Sequence, residues 1–197
     1  MKKIIFIFLL AINSIYSQND FQDVSIKSLD DLLEYTSPNT GLSISDGDYF
    51  KDNNNRLNPY FGQWQGSFDN KNLTLEISKI VKSESIGYYK DILLIKYSLV
   101  DNQGQVLVNT LDMFDTYRKH IKGLLFVEEF DLYEAWYAGL ESNCNQKGWA
   151  YLEIVNNTTL KLWIKPFSGE IIDNDCPDGN IHILPTSEAT AVTLTKQ

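Results

Sequence analysis

Phe61-Gly62-Gln63-Trp64-Gln65-Gly66-Ser67-Phe68-Asp69-Asn70-Lys71-Asn72-Leu73-Thr74-Leu75-Glu76-Ile77-Ser78 is the stretch that decides the fold. Residues 61–68 read as a strand, and Asp69-Asn70-Lys71-Asn72 reads as a turn. In the returning strand Leu73, Leu75 and Ile77 alternate with Thr74, Glu76 and Ser78. A period of two puts the apolar set on one face and the polar set on the other, so the segment is a β-hairpin with one wet face.

The same period recurs down the chain. Residues 88–100 and 106–111 flank Asp101-Asn102-Gln103-Gly104, a second hairpin. Residues 113–122 read as irregular or as a short helix carrying Phe114, Tyr117 and Ile121, stopped by Gly123. Residues 124–138 read as one long strand. Residues 149–155 and 159–167 form a third hairpin about Asn156-Asn157, and a long acidic connection over 169–185 leads to a last strand at 191–195. Short turns and no alternating helices predict an all-β chain: an antiparallel up-and-down barrel or sandwich of about eight strands.

Upstream, residues 18–58 are polar. Ser28 can cap a short helix in which Leu29, Leu32 and Leu33 share a face, ended by Pro38 and Gly41. Asp46-Gly47-Asp48 and Asp52-Asn53-Asn54-Asn55 lack the spacing of a calcium loop and read as solvated turns. Lys2 and Lys3, the apolar run 4–15 and Ser17 read as an export signal over 1–17, cleaved before Gln18. That run is too short to span a bilayer. The expected organisation is signal 1–17, lead-in with a short helix 18–58 and β domain 59–197, delivered to the periplasm or secreted.

Loss of the two signal lysines leaves 15 Lys and Arg against 26 Asp and Glu, a net charge of −11. Such a surface repels phosphate backbones and anionic lipid, which predicts no nucleic-acid partner. Four Trp, eleven Tyr and ten Phe suit a strand-rich core. Cys144 and Cys176 both lie among loop residues, and in an exported chain they read as one disulfide closing about 32 residues. His120 and His182 are the only histidines, without partners at zinc-ligand spacing, and no glycine-rich phosphate loop occurs, so neither metal nor cofactor is expected.

Phe61-Gly62-Gln63-Trp64 resembles the G-x-W signature of the calycins, the lipocalins and fatty-acid-binding proteins. The export signal, the Asn-rich lead-in, this motif and Val192-Thr193-Leu194-Thr195-Lys196 together are similar to small exported flavobacterial proteins with a lipocalin-like domain of unknown function. The resemblance implies a barrel with an apolar interior, with Gly62 and Trp64 as closing residues at one end. It also implies an arginine near the last strand against the tryptophan. The only arginines here are Arg56 and Arg118, which leaves a lysine to take that place.

Glu129-Phe130-Asp131-Leu132-Tyr133-Glu134 resembles the E-x-D-x-x-E of retaining β-jelly-roll glycosidases, in which a bulge brings nucleophile and acid/base to one cleft. In a regular strand Glu129 and Asp131 face one way and Glu134 the other, and that regular strand is the expectation. The chain is therefore read as a binding protein and not an enzyme, taking a small apolar ligand inside or a partner on its surface. The alternatives are a glycan-acting hydrolase using Glu129 and Glu134, or a structural envelope or adhesion module.

Overall fold

Asp69 and Asn70 have φ of 45° and 59°. Two successive left-handed residues make the tight turn whose twist matches the strands it joins. They connect β3 (Gly62–Phe68) to β4 (Lys71–Glu84), with Phe68 opposite Lys71 and Gly62 opposite Ile77. The computed structural model describes residues 24–139, 146–167 and 183–197. The export signal, Cys144, Cys176 and His182 lie outside the described residues.

β5 (Tyr89–Asp101) runs back along β4, and a turn leads to β6 (Val106–Asn109). In that turn the Asp101 carboxylate accepts the backbone N–H groups of Gln103 and Gln105, and Gly104 supplies a φ of 83°. β7 (Ile121–Val127), β8 (Leu132–Tyr137), β9 (Gly148–Asn156) and β10 (Thr159–Pro166) follow as a meander, and β11 (Val192–Lys196) completes it. β11 pairs back onto β3 through Lys196–Trp64 and Thr195–Gln65, and β7 pairs with β5 through Lys122–Leu94 and Ile121–Ile95. Those two pairings close an antiparallel barrel in the order β3-β4-β5-β7-β8-β9-β10-β11, an all-β fold with eight strands in the ring. A barrel, not an open sandwich, is the architecture.

The long strand expected over 124–138 does not exist. Glu128–Phe130 form a 3-10 turn and Asp131 adopts a left-handed φ of 51°, so the chain reverses between Val127 and Leu132. This four-residue turn contains no Gly, Pro or Asn. Asp131 tolerates the left-handed region because its short polar side chain competes for local hydrogen bonds. Phe130, exposed at the tip, had extended the apparent alternation. Burial changes phase across the turn, with Phe126 inward on one side and Tyr133 on the other.

The lead-in is less irregular than its composition suggests. β1 (Ile26–Ser28) and β2 (Tyr49–Lys51) are parallel strands that extend the sheet at the start of β5. Along the edge turned away from β4, β5 thus meets β2 at Tyr89 and Lys90, β7 at Leu94 and Ile95, and β6 at residues 98–100. The Ser28 hydroxyl accepts the Asp30 N–H at 3.4 Å at the start of a 3-10 turn that continues into α1 (Leu32–Thr36). Leu29 and Leu32 are fully buried with Leu57 and Tyr60 across one end of the barrel. Asp48 and Asp52, expected in solvated turns, are buried, because each serves as an acceptor that fixes the lead-in.

Candidate functional site

The G-x-W residues sit where the lead-in enters the barrel. Trp64 is fully buried, and its indole N–H donates to the Tyr60 carbonyl at 2.7 Å. Lys196, on the last strand, stands over the indole with its ammonium 5.1 Å from the ring centre and donates to the Pro59 carbonyl at 3.3 Å. Gly62 has a φ of 114°, and a Cβ there would be 3.3 Å from Cε of Lys196. A lysine of the last strand thus covers the Trp64 indole. These are packing contacts around a fully buried indole.

Beside them lies a buried charge network. The Asp91 carboxylate accepts the Tyr49 hydroxyl at 2.6 Å, the Asp52 N–H at 3.1 Å and the Lys82 N–H at 3.0 Å. Lys79 bridges Asp91 and Asp52, 3.2 Å from each. Burial pushes the Asp91 carboxyl upward, but these donors together hold it below the usual carboxylate range. Burial and the adjoining Asp91 raise the Tyr49 phenol well above its ordinary value. Two carboxylates, one ammonium and several N–H groups satisfy one another, so the network anchors the lead-in and has no free group for chemistry.

The interior carries large side chains. Trp64, Tyr97, Tyr133 and Tyr137 are the largest of the fully buried ones, and Leu75, Leu152 and Leu162 belong to the same buried cluster. Tyr133 packs edge-on against Phe126, with ring centres 4.9 Å apart, and its hydroxyl accepts the Leu93 N–H at 3.2 Å.

Glu129, Asp131 and Glu134 do not form one carboxylate set. Glu129 and Asp131 lie on the exposed β7–β8 turn, and Asp131 is 3.7 Å from Arg56. Arg56 also pairs with Glu128 and with Asp30, and its guanidinium lies 3.9 Å from the centre of the Phe126 ring, so this turn clasps the lead-in. Glu134 stands apart on the outer face of β8, opposite Tyr151 of β9.

That outer face carries an open groove whose lining combines a charged and an aromatic set. It has a volume of about 370 Å³. Cross-strand register builds it: Glu134 faces Tyr151, Tyr151 faces Trp163 of β10, and Glu153 faces Lys161. Tyr151 and Trp163 stack with ring centres 5.6 Å apart and planes 27° apart, forming the floor. Val127, Phe130 and Leu132 make an apolar wall, while Glu134, Glu153, Glu188 and Lys165 bring charge. Lys161 neutralises Glu153 at 2.9 Å. Burial, then the neighbouring Glu134, pushes the Tyr151 phenol up to about 12, so it stays protonated and can donate to that carboxylate. Beneath this face Lys90 is buried with its ammonium on the Leu124 carbonyl at 2.9 Å.

Of the groove residues the sequence singled out only Glu134. Tyr151, Glu153, Trp163 and Lys165 each belong to a legible alternation, but their assembly depends on register across three strands. His120 is buried between the carbonyls of Thr110 and Asp115, a packing role. Among the described residues no group of three or more His, Cys, Asp or Glu is arranged to hold a metal ion, and no helix is long and apolar enough to cross a membrane.

No curated protein and no solved structure matches the chain. A family model does, over residues 1–138, which takes in the lead-in, the G-x-W strand and the barrel as far as β8. The chain belongs to the family of unknown function DUF6705.

Proposed function

We propose that the protein is an exported, lipocalin-like binding protein that takes its ligand on the outside of its barrel, in the groove between Phe130, Tyr151 and Trp163, and that it acts without catalysis. The observation that carries this reading is the contrast between the two faces. The interior is lined by fully buried aromatic and leucine side chains, whereas the outer groove offers about 370 Å³, the size range of small-molecule sites, with an aromatic floor and a few polar groups. Separation of Glu129 from Glu134 by the turn supports binding over glycan hydrolysis. Export through the 1–17 signal and a Cys144–Cys176 bridge complete the proposal.

The test is amide chemical-shift mapping of the protein during a screen of small organic compounds. Shifts confined to residues 132–134, 151–153 and 163–165 are expected, with the ligand recovered unaltered. Shifts centred on the inward-facing Leu75, Leu152 and Leu162 would place the ligand in the barrel and overturn the proposal.

A further inference from the structure

We infer that the groove selects an organic ammonium ion with an apolar body, a small aryl- or alkylamine; this rests on the binding reading above. The lining is divided. Val127, Phe130 and Leu132 form one wall, and the Tyr151–Trp163 stack forms the floor. Three carboxylates, Glu134, Glu153 and Glu188, face the same space against a single lining lysine, Lys165.

The charges are not equally committed. Lys161 pairs with Glu153, but among the described residues neither Glu134 nor Glu188 is in an ion pair. Burial lowers the Lys90 ammonium to about 8 against the opposing pull of Glu134, and that ammonium is directed to the Leu124 carbonyl. An incoming ammonium would meet Glu134 and Glu188, neither of them in a salt bridge among the described residues, beside the Tyr151–Trp163 stack, and aromatic rings attract cations. The apolar wall receives the body of the molecule and excludes water from the contact, which strengthens the attraction. A neutral ligand of the same shape gains the wall and floor but leaves the carboxylates where they were. An anion meets repulsion there and across a chain whose formal net charge is −9.

The experiment titrates the full-length mature protein with three probes of similar shape, 2-phenylethylammonium, 2-phenylethanol and 3-phenylpropionate, followed by tryptophan fluorescence and calorimetry. The expected order is ammonium tightest by tenfold or more over the alcohol, with the carboxylate weakest. In Glu134→Gln/Glu188→Gln the ammonium should fall to the affinity of the alcohol while the alcohol is unchanged, which also shows that the variant is folded. Equal binding of ammonium and alcohol, or an advantage that survives the double substitution, overturns the charge selection and leaves the groove as a binding site. Failure of all three probes to bind removes the groove reading and this inference together.

Discussion

The hydroxyl of Tyr133 lies 2.1 Å from the point where a Cβ on Gly123 would stand. The same hydroxyl accepts the Leu93 N–H, so a side chain from β8 passes over β7 at its bulge and completes the hydrogen bonding of β5. Gly123 is therefore required by space, not by backbone angle. The Leu93 nitrogen, 2.8 Å from the same point, is main chain and cannot swing aside. Gly123→Ala should cost about 3 kcal/mol through displaced packing and an unpaired buried N–H. Tyr133→Phe should cost about 1–2 kcal/mol, by loss of the acceptor alone. Urea denaturation measures both, and a Gly123→Ala protein as stable as the parent would contradict this account.

Trp64→Ala should cost about 3–5 kcal/mol because it empties a fully buried site at the joint of lead-in and barrel. Lys196→Met keeps most of the covering volume and loses a partly exposed cation over a ring, so it should cost no more than about 1 kcal/mol. The ratio of the two losses is the readout. Comparable losses would mean that the lysine, and not the indole, holds this end.

Acid should loosen the lead-in. Burial alone would raise Asp48, yet Lys27 and the Ser45 N–H keep its carboxyl below the ordinary range, as the donors around Asp91 do for that group. A carboxyl depressed in the folded state contributes stability at pH values above its unfolded pKa, near 4, and loses it as pH falls through the lower folded value. The midpoint of urea unfolding should therefore fall steeply below about pH 4. Asp91→Asn should flatten that decline while lowering stability at neutral pH; an unchanged acid limb would show that these carboxylates do not drive it.

Lys90 predicts a second rise of stability with pH, in alkali. Its folded pKa of about 8 lies below the ordinary lysine value of 10.5, so between the two the unfolded chain binds the extra proton and stability rises with pH. Unfolding midpoints should increase between pH 7.5 and 9.5, below the range in which unfolded tyrosines ionise. In Lys90→Met the rise should disappear. A parent profile that is flat over this interval would rule out a strained ammonium at this position.

The parts of the barrel that were legible are those whose turns carry their own instruction. Asp69-Asn70, Asp101 to Gly104 and Asn156-Asn157 each interrupt a clean alternation, and each is a turn between paired strands. The β7–β8 turn was missed because Glu128, Glu129 and Phe130 have no turn chemistry of their own; closure of the ring imposes the reversal. Asp48, Asp52 and Asp91 look like solvated acids one at a time. Their burial comes from meeting Lys27, Lys79 and Tyr49, residues distant in sequence. The groove was hidden for the same reason, since Glu134, Tyr151 and Trp163 become neighbours only when three strands take their register.

Because β11 meets β3, and β7 meets β5, over two paired residues each, the ring behaves as two curved leaves, one of three strands and one of five. Within a leaf the backbone ladders are long; between leaves adhesion is supplied by side chains, with Trp64 at one joint and Tyr133 at the other. Main-chain amides along the two joints should exchange with solvent ahead of those inside either leaf. Opening at either joint would part the ring where its backbone ladder is shortest, against side-chain contacts that include Trp64 and Tyr133.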